Sequence, residues 1–301
     1  MSQFYETADT RFAEVIQHSQ PRHQLASGMH FTEGPVWLQQ DKSVLFTDIP
    51  GNAIMRWSER DGLSVWNNNS HFAIGLYADH EGRVIACEHA TRQLTRYESD
   101  SRVTVLASHY GEHVLNSTND VCVRNSDRAI FFTDPPFGVR FEDSQLHGYE
   151  QAMEYGACGV FKVSDDATHP VLVTNKIYRP NGLCFSPDEK TLYVSDSSQK
   201  FHCVHSLTLS PDDTVSESRV FTTLPTGVPD GMRVDTEGRL YVAGPDGVYV
   251  YLADGMLLGK LLVPEMVTNI CFGGTHRQML FITAVSSLYM FELKTQGHSL
   301  S

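Results

Sequence analysis

The sequence predicts an all-β protein, a six-bladed β-propeller. Three observations carry that prediction. A two-strand unit recurs six times, the copies keep one turn chemistry in register, and no convincing long helix interrupts them.

The copies open at Glu33 (E-G-P-V-W-L), Ile74 (I-G-L-Y-A-D), Asn119 (N-D-V-C-V-R), Asn181 (N-G-L-C-F-S), Asp230 (D-G-M-R-V-D) and Asn269 (N-I-C-F-G-G). Each pairs an apolar or alternating run with a turn rich in Asp, Gly, Pro or Asn. A second run follows, such as Leu-Tyr-Val-Ser, which is the pattern of a β-hairpin.

Third strands are expected at Ala53 to Trp57, Leu94 to Tyr97, Gly159 to Val163 and Val248 to Tyr251, and outer strands at Val103 to Ala107 and Val171 to Thr174. Four strands in a period of roughly 40 to 60 residues make a propeller blade. A β-sandwich gives no reason for the hairpins to share turn chemistry.

Residues 1–301 are thus expected to form one domain. The segment His23 to Phe31 should complete the blade that begins at Asn269, and Val139 to Gly156 should lie as a loop over one face.

Composition narrows the function. The 41% hydrophobic and 20% charged residues suit a globular chain, and no apolar run is long enough to span a bilayer. A formal charge of −13 without a clustered Lys/Arg surface argues against nucleic acid. The N-terminus has neither a basic nor an apolar leader region, which leads to the expectation of a cytoplasmic protein. Six dispersed cysteines without a C-x-x-C pair disfavour a thiolate zinc site or a disulfide framework.

In a propeller the residue opening each hairpin sits at one level of the central channel. Here those residues are Glu33, Ile74, Asn119, Asn181, Asp230 and Asn269. Turn preference alone would explain Asn-Gly and Asp-Gly, but not Glu33, nor the shortage of apolar openers. Carboxylate and amide oxygens converging without His or Cys suit one divalent cation, Ca²⁺ before Zn²⁺; Mg²⁺, Mn²⁺ and Fe²⁺ are also compatible. Asp48, Glu88, Asp134 and Asp196, which end the second strands, are expected to hold the ligands in place, with His89 free to meet a substrate.

These stretches also carry a likeness. F-T-E-G-P-V-W (Phe31 to Trp37), A-C-E-H (Ala86 to His89), N-D-V (Asn119 to Val121), F-T-D-P-P-F-G (Phe132 to Gly138), R-P-N-G-L-C-F-S-P-D (Arg179 to Asp188) and P-D-G-M (Pro229 to Met232) resemble the gluconolactonase, senescence marker protein and luciferin-regenerating family. Its bacterial gluconolactonases are the nearer match.

The resemblance implies hydrolysis of sugar lactones by a propeller with one channel metal. Glu33, Asn181 and Asp230 would be ligands, and Asn119 a fourth ligand or a substrate contact. Ser117 stands where animal members have arginine, so substrate recognition there should differ.

Asp230 is the candidate general base, with water activated by the cation as the competing route. No G-x-S-x-G marks a serine nucleophile. The alternatives are a phosphotriesterase on the same scaffold, a non-catalytic propeller that binds calcium or protein, and, ranked last, a strictosidine-synthase-like carbon-carbon bond former. Which lactone is preferred, and the oligomeric state, stay open.

Overall fold

Runs of β-branched and aromatic residues, broken every few positions by Asp, Gly or Pro, cannot sustain a helix and fold instead as successive four-stranded meanders. A computed structural model describes residues 4–17, 21–139, 152–164 and 169–298. The expected loop from Val139 to Gly156 lies largely outside them, at residues 140–151.

Six antiparallel sheets of four or five strands follow one another around a central axis, and a small two-stranded sheet, His109–Tyr110 with His113–Val114, lies between the second and third in sequence. Their innermost strands are Thr32–Leu38, Ala73–Ala78, Val121–Val123, Pro180–Phe185, Met232–Val234 and Val267–Gly273, defining blades 1 to 6. Each blade then runs outward by antiparallel neighbours, as in blade 1 through Ser43–Asp48, Ala53–Ser58 and Gly62–Asn67.

The N-terminal strand His23–Ser27 pairs with Ser287–Glu292 and so forms the outer edge of blade 6. Residues from both ends of the sequence therefore share one sheet. A second N-terminal strand, Tyr5–Thr7, adds a fifth strand to blade 5 by pairing with Leu257–Leu262, an extension the hairpin repeat does not announce.

The core lies between blades. Val36, Leu45 and Ile54 of blade 1 meet Leu76 and Ala86 of blade 2. Phe131 and Val160 of blade 3 meet Leu183, Phe185 and Val194 of blade 4. At the closing join, Phe46 meets Phe281 and Leu288, and Trp37 stacks on Phe281 with ring centroids 5.4 Å apart. Each buried Phe or Leu contributes about 2–3 kcal/mol, so side-chain packing between sheets is a main force that holds the ring.

Cys122, Cys184 and Cys271 are buried among these strands.

Candidate metal centre

The six openers lie where the inner strands crowd around the axis. A Cβ on Gly34 would sit 2.1 Å from the carbonyl oxygen of Ile74, and one on Gly182 only 2.4 Å from that of Asp230. The glycine after Glu33 and after Asn181 is therefore required by the neighbouring blade's backbone. Hydrogen bonds fix the same ring: Thr47 Oγ1 donates to Ile74 O at 3.0 Å, Gly75 N to Asn119 O at 2.8 Å, and Thr133 Oγ1 to Asn181 O at 2.8 Å. Thr268 closes it by donating to Thr32 O at 2.7 Å.

Three carboxylates hold the loops that lead into this ring, in one repeated arrangement. Asp48 accepts from the backbone N–H of His30 and Phe31, Asp134 from Asn116 and Ser117, and Asp196 from Tyr178 and Arg179. In every case the donors are 18 and 17 residues upstream. Two residues beyond the second donor stand Glu33, Asn119 and Asn181. The carboxylates thus fix backbone before each opener, not the opener's own side chain.

Glu88, the counterpart in blade 2, instead accepts from the hydroxyls of Thr91 and Thr95. Gly244 takes the place in blade 5 and makes no such clamp for Asp230.

Side chains from distant blades meet at the axis. Asn269 Nδ2 donates to Glu33 Oε2 at 3.0 Å and lies 3.4 Å from Asp120 Oδ2. Burial, and then the charge of Asp120, push the Glu33 carboxyl up to about 7. Burial also raises Asp120, opposed by Arg233, whose Nη1 is 3.9 Å from Asp120 Oδ2. Asp230 is raised well above the usual range by burial and by the charges of Glu33 and Asp120, while a hydrogen bond with Asn181 lowers it. Three buried carboxylates with one guanidinium between them carry a surplus of negative charge.

Two oxygens in this centre are buried without a hydrogen-bond partner: Asn119 Oδ1 and Asp230 Oδ1. A buried polar atom left unmade costs about 1–3 kcal/mol, so such a pair calls for a ligand. Among the described residues no three His, Cys, Asp or Glu side chains are arranged to hold a metal ion. The donor set instead mixes carboxylates with the amide oxygens of Asn119 and Asn181. Hard oxygens of both kinds, two of them unsatisfied and set in excess negative charge, fit a divalent cation.

Two of the expected substrate contacts are buried. The Ser117 hydroxyl is fully buried, donates to Pro135 O at 2.7 Å and accepts from Gly138 N at 3.0 Å, so it ties the 135–138 turn. His89 is buried against Gly138, where a Cβ would come within 2.8 Å of its ring. Ile74 is the one apolar opener and is buried.

Asp120 and Arg233 were not legible as members of the centre, although a signal exists for Asp120. The position after the opener is Gly34, Gly75, Gly182 or Gly231 in four copies and aspartate here. Tyr155, beyond the undescribed loop residues, adds a hydroxyl donor to Asp134 that no repeat predicts.

Comparison with known proteins identifies the family. Residues 31–286 match the model of the SMP-30/Gluconolactonase/LRE-like region. A gluconolactonase of Zymomonas mobilis is 29% identical over 95% of this chain and 85% of its own length. The pentonolactonase XacC of Haloferax volcanii is 26% identical over 83% of this chain and 80% of its own. A solved gluconolactonase from Xanthomonas campestris superposes with a TM-score of 0.90 at 31% identity, covering 97% of this chain and 95% of that one. With the match spanning all six inner hairpins, the chain belongs to the SMP-30/gluconolactonase/LRE-like family.

Proposed function

We propose that this protein hydrolyses sugar lactones to aldonic acids, with Glu33, Asn119, Asn181 and Asp230 holding one divalent cation, calcium first among the candidates. The observation that carries the reading is the pair of buried, partnerless oxygens, Asn119 Oδ1 and Asp230 Oδ1, beside three carboxylates that repel one another. Family membership, with gluconolactonase and pentonolactonase relatives over most of the chain, supports a carboxylic ester hydrolase.

A cation held by these oxygens would polarise the lactone carbonyl and stabilise the negative charge that develops on its oxygen. The chain's own residues supply the rest. Asp230, fixed by Asn181, takes a proton from the attacking water as the new carbon–oxygen bond forms. It returns that proton to the ring oxygen as the ester bond breaks, leaving an open-chain hydroxy acid. Asn269 holds Glu33 against the centre, and Asp48, Asp134 and Asp196 keep the openers from shifting. No helix among the described residues is long and apolar enough to cross a membrane.

The test is acid release from D-glucono-1,5-lactone and pentonolactones, comparing chelated protein with protein resupplied with Ca²⁺, Mg²⁺, Mn²⁺, Zn²⁺ or Fe²⁺. Cation-dependent turnover supports the reading. Cation binding without turnover of any lactone would move the assignment to a phosphotriesterase or a binding-only propeller.

A further inference from the structure

We propose that the far mouth of the channel, opposite the candidate metal centre, is a second binding site for a small organic oxyanion, a carboxylate or a phosphate monoester. It lies at the other end of the inner strands. Glu33 stands near the start of Thr32–Leu38, whereas the rest of the strand from Pro35, with Trp37 and Leu38 at its end, lines the cavity.

The cavity has a volume of about 530 Å³, room for a molecule the size of a sugar acid. Trp37, Tyr77 and Phe272 supply aromatic walls, and Arg233, Arg277, His80 and His298 supply the polar groups.

Among the described residues the Arg233 guanidinium, 8% exposed, makes one hydrogen bond, to Met232 O at 2.8 Å, and one ion pair, with Asp120 at 3.9 Å, beyond hydrogen-bond range, and it lies over the Tyr77 ring. A guanidinium has five N–H donors, so Arg233 keeps the capacity to donate to a bound oxyanion.

Among the described residues Arg277 has neither a side-chain hydrogen bond nor an ion pair. His80 Nε2 is buried without a partner.

The acidic residues nearby are already engaged. Asp79 accepts from Arg83 Nε at 2.7 Å and from the backbone of Glu81 and Arg83, and Glu81 is itself 3.2 Å from Arg83. In a chain of formal charge −13, one mouth of the channel thus presents two arginines that no carboxylate among the described residues meets at hydrogen-bond distance. Planar guanidinium groups at an aromatic-walled cavity suit the flat or tetrahedral oxygens of an oxyanion.

Arg277 is the residue to change. It sits in the turn before Met279–Ala284 and makes no side-chain bond that folding would miss.

The experiment is calorimetric titration of cation-loaded protein with D-gluconate, glucose 6-phosphate and inorganic phosphate, repeated on Arg277→Gln, Arg277→Glu and chelated wild type. One-site binding of at least one probe is expected, weakened about tenfold by Arg277→Gln and further by Arg277→Glu. Binding should persist in the chelated protein, which separates this site from the candidate metal centre. Gluconate binding would identify a carboxylate ligand, and binding of the phosphates alone a phosphate ligand. Absence of saturable binding by all three below about 10 mM, or binding by Arg277→Glu equal to wild type, overturns the proposal. No turnover is read, so the outcome is independent of the lactonase assignment.

Discussion

Asn269 Nδ2 donates to Glu33 Oε2 at 3.0 Å across the join where the last blade meets the first. The residues are 236 positions apart, yet one amide sets the orientation of a carboxylate in the channel. Asn269→Ala should lower cation affinity about tenfold or more, since a hydrogen bond to a charged group contributes about 1.5–3 kcal/mol. Calorimetric titration with Ca²⁺ measures it. Unchanged affinity in a folded variant would show that Glu33 needs no such support.

The clamp on blade 4 should matter for stability as well as for binding. Asp196 accepts three backbone N–H groups, from Tyr178, Arg179 and Ser198. Asp196→Ala leaves them without an acceptor in a buried loop and should cost about 2–4 kcal/mol in urea unfolding. A loss below about 1 kcal/mol would mean that water or a neighbouring group replaces the carboxylate.

Protonation of Glu33 gives a signed pH dependence. Its carboxyl rises from the ordinary 4.5 to about 7 in the cation-free fold. Between those values the native state holds a proton that the unfolded chain has lost, so rising pH favours unfolding. The stability from this group is fully present below 4.5 and is lost as pH passes about 7. In chelator, the unfolding free energy should therefore fall across that window by roughly 3 kcal/mol. Saturating Ca²⁺ should remove the slope, because a cation favours the charged form. Stability that rises with pH in chelator would contradict the electrostatic account.

Asp120 should act through charge. It is the second cause, after burial, of the raised Glu33 value. Asp120→Asn should bring Glu33 back toward its ordinary range, shift the stability decline of the cation-free protein to lower pH, and weaken divalent binding. Urea midpoints against pH follow the first two effects and calorimetry the third. An unaltered pH profile would place Asp120 outside the coupled group.

The propeller was legible in the sequence because its period is covalent. Hairpin openers recur with the same turn chemistry, and register alone aligns Glu33, Asn119, Asn181 and Asp230. Tyr5–Thr7 was not legible, because a strand added to the edge of blade 5 need not repeat anything. Asp120 and Arg233 were missed for a different reason. Their meeting at 3.9 Å depends on how blades 3 and 5 face each other across the axis, which no local pattern encodes. Ser117 was read from a family position toward the substrate, whereas its hydroxyl is consumed by Pro135 and Gly138.

On the proposed reading, lactone hydrolysis needs one cation in the oxygen ring. Chelated protein titrated with Ca²⁺, with bound cation and rate of acid release from D-glucono-1,5-lactone followed on the same samples, tests it most directly. One equivalent should bind, with half-maximal rate at half-saturation, and both should be lost in Glu33→Gln. Full turnover in chelator, or a rate that ignores the bound cation, would contradict it.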